Sequence, residues 1–70
     1  MKYVLSTSLD GLDHYHCDGW WEPDVNQATI FDGRDAACAY AATELPHHAP
    51  LYLVQVDLHI VKRTGETLRK

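Results

Sequence analysis

Seventy residues, 46% of them apolar and 23% charged, have the composition of one globular domain and exclude a wholly disordered chain. The length is near the lower limit for a single core without metal, disulfide or oligomerisation, and leaves little volume for a deep substrate pocket. Ten acidic residues against six basic ones give a net charge of −4, which disfavours a general affinity for nucleic acid.

In chain order, Lys2–Leu9 alternates as a strand, with Tyr3, Leu5, Thr7 and Leu9 on one side. Asp10-Gly11 is a dipeptide that tolerates positive φ in a two-residue hairpin turn, so Leu12–Cys17 is expected to return as a second strand. Its Leu12, His14 and His16 would share one face, and Asp13, Tyr15 and Cys17 the other. Asp18-Gly19 marks another turn, and Pro23-Asp24 interrupts regular structure just beyond Trp20 and Trp21. If the two tryptophans are extended they point to opposite faces, one buried and one partly exposed. Residues 23–27 suit one short helical turn, and 28–31 a brief strand.

A helix is expected over residues 35–45, N-capped by Asp32, favoured at its positive end by Asp35 and stopped by Pro46. Ala37, Tyr40, Ala41 and Leu45 form its buried stripe. His47 to Pro50 is a connector bounded by prolines. Residues 51–63 read as one long central strand, with Tyr52, Val54, Val56, Leu58 and Ile60 alternating against Gln55, Asp57 and His59. The expected fold is α+β: a three- to four-stranded antiparallel sheet with one helix packed on one face, forming a single domain over 1–63. Residues 64–70, with one leucine, a glycine and mixed charge, read as a flexible C-terminal tail.

No run approaches the roughly 18 to 20 apolar residues needed to span a bilayer, and the N-terminal segment is strand-like, so no membrane association and a cytoplasmic location are expected. Cys17 and Cys38 read as free thiols, since small disulfide scaffolds usually carry four or more cysteines. The charge is uneven along the chain. Through Asp35, seven acidic residues face Lys2 and Arg34, five net negative charges; from Ala36 onward, Glu44, Asp57 and Glu66 face Lys62, Arg63, Arg69 and Lys70, one net positive. An acidic lobe steers toward basic protein surfaces, although plain solubility explains the same charges.

Three chemistries compete. Zinc would draw on His14, His16, Cys17, His47 and His48, but the adjacent His16 and Cys17 diverge on a strand and lack knuckle spacing. Nucleophilic catalysis by Cys17 or Cys38 would need an oriented base, an oxyanion site and a cleft, for which the chain has little scaffold. No enzyme activity and no cofactor are therefore expected. The basic residues near the C-terminus are too few to argue direct nucleic-acid binding. Recognition of a protein partner remains, through Tyr15, Trp20 and Trp21 as aromatic anchors with Asp10, Asp13, Asp18, Glu22 and Asp24 around them. The competing explanation is that both indoles complete a small core. A sheet edge could also pair with a second copy, so monomer and homodimer both stay open.

The succession Gly19-Trp20-Trp21, Ala28 and Phe31, Asp35-Ala36 opening an alanine-rich helix, and Val54-Gln55-Val56 resembles short phage- and prophage-encoded accessory proteins. That group includes anti-CRISPR proteins and host RNA polymerase inhibitors. The resemblance covers most of residues 3–61. It implies a non-enzymatic binder that occludes a bacterial host protein or nucleoprotein complex in the host cytoplasm, with Asp10, Asp13, Asp18, Glu22 and Asp24 competing for a basic groove. The His14-Tyr15-His16-Cys17 segment and the long terminal strand depart from that pattern and leave the partner open.

Overall fold

The computed structural model of the protein describes residues 2–56 and 62–70, with side chains described at 2–56 and 65–70. Two aspartyl-glycine turns organise its first third. Strand β1 (Lys2–Leu9) turns at Asp10 and Gly11, whose φ angles are 54° and 79°, into β2 (Leu12–Cys17). Asp18 and Gly19 repeat the geometry at 47° and 93° and start β3 (Trp20–Glu22). Positive φ at both central residues twists a two-residue turn to match the right-handed twist of its strands, and Asp and Gly accept that conformation at least cost. The register that follows pairs Ser6 with Tyr15 and Leu9 with Leu12, then Tyr15 with Glu22 and Cys17 with Trp20.

After β3, Asp24 accepts the Asn26 amide on its side chain at 2.9 Å and starts a single 3-10 turn, Val25–Gln27. Residues 28–31 then enter a gap between the end of β2 and the start of β1. The Thr29 amide donates to the His16 carbonyl at 2.9 Å, and Phe31 and Tyr3 exchange backbone bonds at 2.8 and 2.9 Å. The strand expected there is one antiparallel bridge, Tyr3 to Phe31.

Helix α1 spans Arg34–Glu44. The expected cap is corrected: Gly33 occupies the N-cap position without a side-chain bond, and the Asp32 carboxylate pairs with the Lys2 ammonium instead. Strand β4 (Leu51–Val56) lies antiparallel to β1, from Lys2 opposite Val56 to Ser6 opposite Tyr52. Strand β5 (Lys62–Arg69) pairs antiparallel with β4.

The fold is α+β, as expected, but the sheet has five strands in the order β3-β2-β1-β4-β5, not three or four. The run expected as one strand over 51–63 gives β4 up to Val56 and the beginning of β5; its Asp57, Leu58, His59 and Ile60 lie outside the described residues. The segment 64–70, expected as a flexible tail, is strand through Arg69. Central in the sheet is β1, with β4 beside it.

Both strands bury side chains on both faces. Under the helix, Leu5, Leu51 and Leu53 pack with Ala37 and Ala41, flanked by Tyr3, Phe31, Tyr40, Leu45 and Leu68. Alanines at the contact let the helix approach the sheet closely, and the stripe expected from Ala37, Tyr40, Ala41 and Leu45 is the one used. The opposite face was expected to be uncovered. Instead Val4, Tyr15, Val54 and Val56 cluster there with Ala28, and Val25 packs against them. The short 3-10 turn thus covers part of a face that the helix cannot reach.

Candidate protein-docking face

The alternation of β2 and β3 sorts the aromatic and acidic residues between the two faces. Trp21 is opposite His16 and points toward the helix; its indole meets the His16 ring edge-on at 5.4 Å and stacks on His48 at 4.6 Å. Trp20 is opposite Cys17 and points the other way, with 73% of its surface exposed. Glu22 pairs with Tyr15 on that same face, and Asp13, opposite Ser8, shares it too. Tyr15 is buried in the Val4 and Val54 cluster, so among the aromatic residues expected at an interface it serves as core, and Trp21 is half-buried. Trp20 is the exposed one of the three.

The remaining acidic residues frame this face. Asp10 and Asp18 occupy the two hairpin turns, at opposite ends of β2, and both are exposed. The Asp18 amide donates to the Thr29 hydroxyl at 2.9 Å, which fixes the second turn against the 28–31 segment. Asp24 is held by capping the 3-10 turn. The carboxylates therefore sit on structured backbone.

Next to the part covered by Val25 and Ala28, the same face opens into a groove of about 340 Å³ lined by Ser6, Asp13, Tyr52, Val54, Gly65 and Thr67. Ser6 and Val54 are buried and form its floor; Asp13, Gly65 and Thr67 are exposed at its rim. The Ser6 hydroxyl donates to the His14 carbonyl at 2.9 Å. Apart from Asp13, sequence reasoning missed these residues. Gly65 within a strand was the available signal, since an interior strand glycine often marks an open place on a sheet face.

The histidines take a different arrangement from the zinc alternative. His16 is buried on the helix face, its ring 5.2 Å from that of Tyr40 and its Nδ1 without a hydrogen-bond partner. Burial pushes its pKa below the ordinary value; His48 acts in the same direction and Asp18 opposes. The Thr7 hydroxyl donates to the Pro50 carbonyl at 2.7 Å, so its oxygen accepts from His48 Nε2–H at 3.1 Å, and that nitrogen is occupied. Cys17 lies on the face opposite His16, and His14 Nδ1 is 3.1 Å from the Leu12 carbonyl. Among the described residues no three His, Cys, Asp or Glu side chains come together to hold a metal ion. His14, His16, Cys17, His47 and His48 are thus not a ligand set in this arrangement. Cys17 and Cys38 are free thiols.

Among the described residues, no helix is long and apolar enough to cross a membrane. Compared with protein-family models, curated proteins and solved structures, the chain matches none.

Proposed function

We propose that this is a non-enzymatic protein-binding module that docks the exposed face of its β2–β3 hairpin on a basic protein surface. One observation carries the reading: Trp20 is 73% exposed on an ordered strand, while its neighbour Trp21 is packed inward. An indole held in water by a two-residue turn gains substantially when a partner covers it, and rigid aromatics lose little conformational entropy on binding. Asp13, Asp18, Glu22 and Asp24 lie on that face or at its margins, and the chain carries a net charge of −4, so the complementary surface is basic. Resemblance to short phage-encoded accessory proteins makes a bacterial host complex the expected partner, with occlusion of its basic groove as the consequence and the host cytoplasm as the place.

The test is capture from bacterial lysates with folded wild-type and Trp20→Ala baits, followed by binding kinetics on whatever is retained stoichiometrically. Trp20→Ala should raise the dissociation rate roughly thirtyfold, the effect of a hot-spot loss of about 2 kcal/mol. Charge reversal at Asp18 or Glu22 should slow association and flatten its salt dependence. A partner retained equally by both baits, or none from several hosts, would remove the reading.

A further inference from the structure

We propose that β3 is a proton-operated flap over His16: when the buried imidazole takes a proton, Trp20–Glu22 lifts from β2 and admits water. The device requires no partner and stands apart from the docking reading.

His16 is a titratable side chain sealed in an aromatic setting. Its ring is 2% exposed, edge-on to Trp21 at 5.4 Å and tilted against Tyr40 at 5.2 Å, and its Nδ1 has no hydrogen-bond partner. A neutral ring is accommodated there, whereas an imidazolium carries a donor on each nitrogen and would leave the Nδ1–H dry and unanswered. The groups around it supply little compensation. Asp18 on the β2–β3 turn favours the charge, His48 from the 46–50 connector opposes it, and burial, the largest effect, opposes it too. Tyr40 from α1 and Trp21 from β3 bring no charge at neutral or mildly acid pH. Glu22 pairs with Tyr15 on the other face of the sheet. A proton on His16 therefore has to be answered by water.

Of the elements around the ring, β3 admits water at the least cost. Helix α1 is fixed by the cluster of Leu5, Leu51 and Leu53 with its alanines, and by Arg69 at its C-terminal end. By contrast, β3 is three residues long, bonded to β2 on one side and at the edge of the sheet on the other. Its Trp20 indole is 73% exposed, so lifting the strand breaks little apolar contact on that face. What holds β3 over His16 is Trp21, through the His16 contact and the stack on His48 at 4.6 Å. Both flanks of the strand are anchored and serve as hinges. Before it, the Asp18 amide donates to the Thr29 hydroxyl at 2.9 Å; after it, the Asp24 carboxylate accepts the Asn26 amide at 2.9 Å. Lifting β3 uncovers the imidazole while β1 keeps its pairing with β2 and β4.

The test is amide hydrogen exchange on the full chain labelled with ¹⁵N, from about pH 7.5 to about pH 5.5, with rates corrected for the intrinsic pH dependence of exchange. Protection of the amides joining β3 to β2 should be lower than that of the amides joining β1 to β4 at every pH. It should be level above pH 6.5, the ordinary histidine value, and then fall about tenfold per pH unit down to the folded-state pKa, because opening takes up one proton. His16→Phe keeps a ring and His16→Gln keeps a polar group, and each should abolish that slope. Level protection of β3 across the whole range would overturn the proposal. So would a slope that survives in either His16 variant, which would assign the proton to another group. Equal protection in β3, β1 and β4 would show that His16 is reached only by unfolding of the entire sheet, and the flap would fall.

Discussion

His16 is 2% exposed, against the Trp21 and Tyr40 rings, with its Nδ1 unpaired. A neutral imidazole fits there by its shape, whereas an imidazolium would be a buried charge with weak compensation from Asp18 and opposition from His48. Its folded-state pKa therefore lies below the ordinary value of 6.5. In the unfolded chain the same group takes a proton near 6.5, so below that pH the unfolded state binds more protons than the folded one. The stability tied to neutral His16 is complete above pH 6.5 and is lost as the pH falls through the interval down to the folded pKa. Asp32 and Glu66, whose pKa values are lowered first by their hydrogen bonds to Lys2 and Arg34, have ordinary values of 3.8 and 4.5 and act in a more acidic range. The expected result is a Tm that drops between pH 7.5 and 5.5 in the wild type and drops less in His16→Phe, which keeps an aromatic ring in place. Identical pH profiles by differential scanning calorimetry would show that another histidine carries the effect.

At the scale of elements, α1 and β5 hold each other in place. The Arg69 guanidinium donates to the carbonyls of Leu45, of His48 at 3.0 Å and of Ala41 at 3.3 Å, which are acceptors at and beyond the C-terminal end of α1. A cation there adds a second donor to the Ala41 and Leu45 carbonyls, which already accept from the Leu45 and His48 amides, and complements the helix dipole. Arg69→Met keeps the stem and removes the donors. It should cost about 2 kcal/mol and lower Tm by roughly 10 °C in a domain of this size, with faster amide exchange in the last turn of α1. Unchanged exchange there would deny Arg69 its capping role. The same strand shows why parts of the fold were hidden in the sequence. The first two strands were legible because Asp10-Gly11 is flanked by alternation, and α1 because its alanines end at Pro46. By contrast, β5 is an edge strand whose Glu66 and Arg69 bond to Arg34 and to the helix end, so the residues that anchor it look like a solvated tail. Asp32 misled as a cap because Lys2, thirty positions away, takes its carboxylate. Trp20 and Tyr15 could not be sorted from spacing alone, since burial of Tyr15 depends on Ala28 arriving over it.

For the whole molecule, the unresolved choice was between a monomer and a dimer paired through a sheet edge. One edge, β3, is three residues long, too short to template another strand well. The other, β5, is longer but irregular. Its partners in β4 step from Arg69 to Thr67 as β4 moves from Leu51 to Tyr52, and from Gly65 to Lys62 as β4 moves from Val54 to Val56, so β5 carries an extra residue at each place. Bulges add local twist and break the flat row of donors and acceptors that edge pairing requires. The net charge of −4 on each copy adds a small repulsion, which salt would screen. The protein should therefore sediment as a monomer at concentrations from about 10 μM to about 1 mM, well beyond the range where specific complexes of moderate affinity assemble. A sedimentation coefficient that rises with concentration, and amide protection appearing on β5 in parallel, would show that the bulged edge pairs after all. In that case the face bearing Trp20 would have to be mapped on the dimer, because pairing through β5 would place Gly65 and Thr67 beside the second copy.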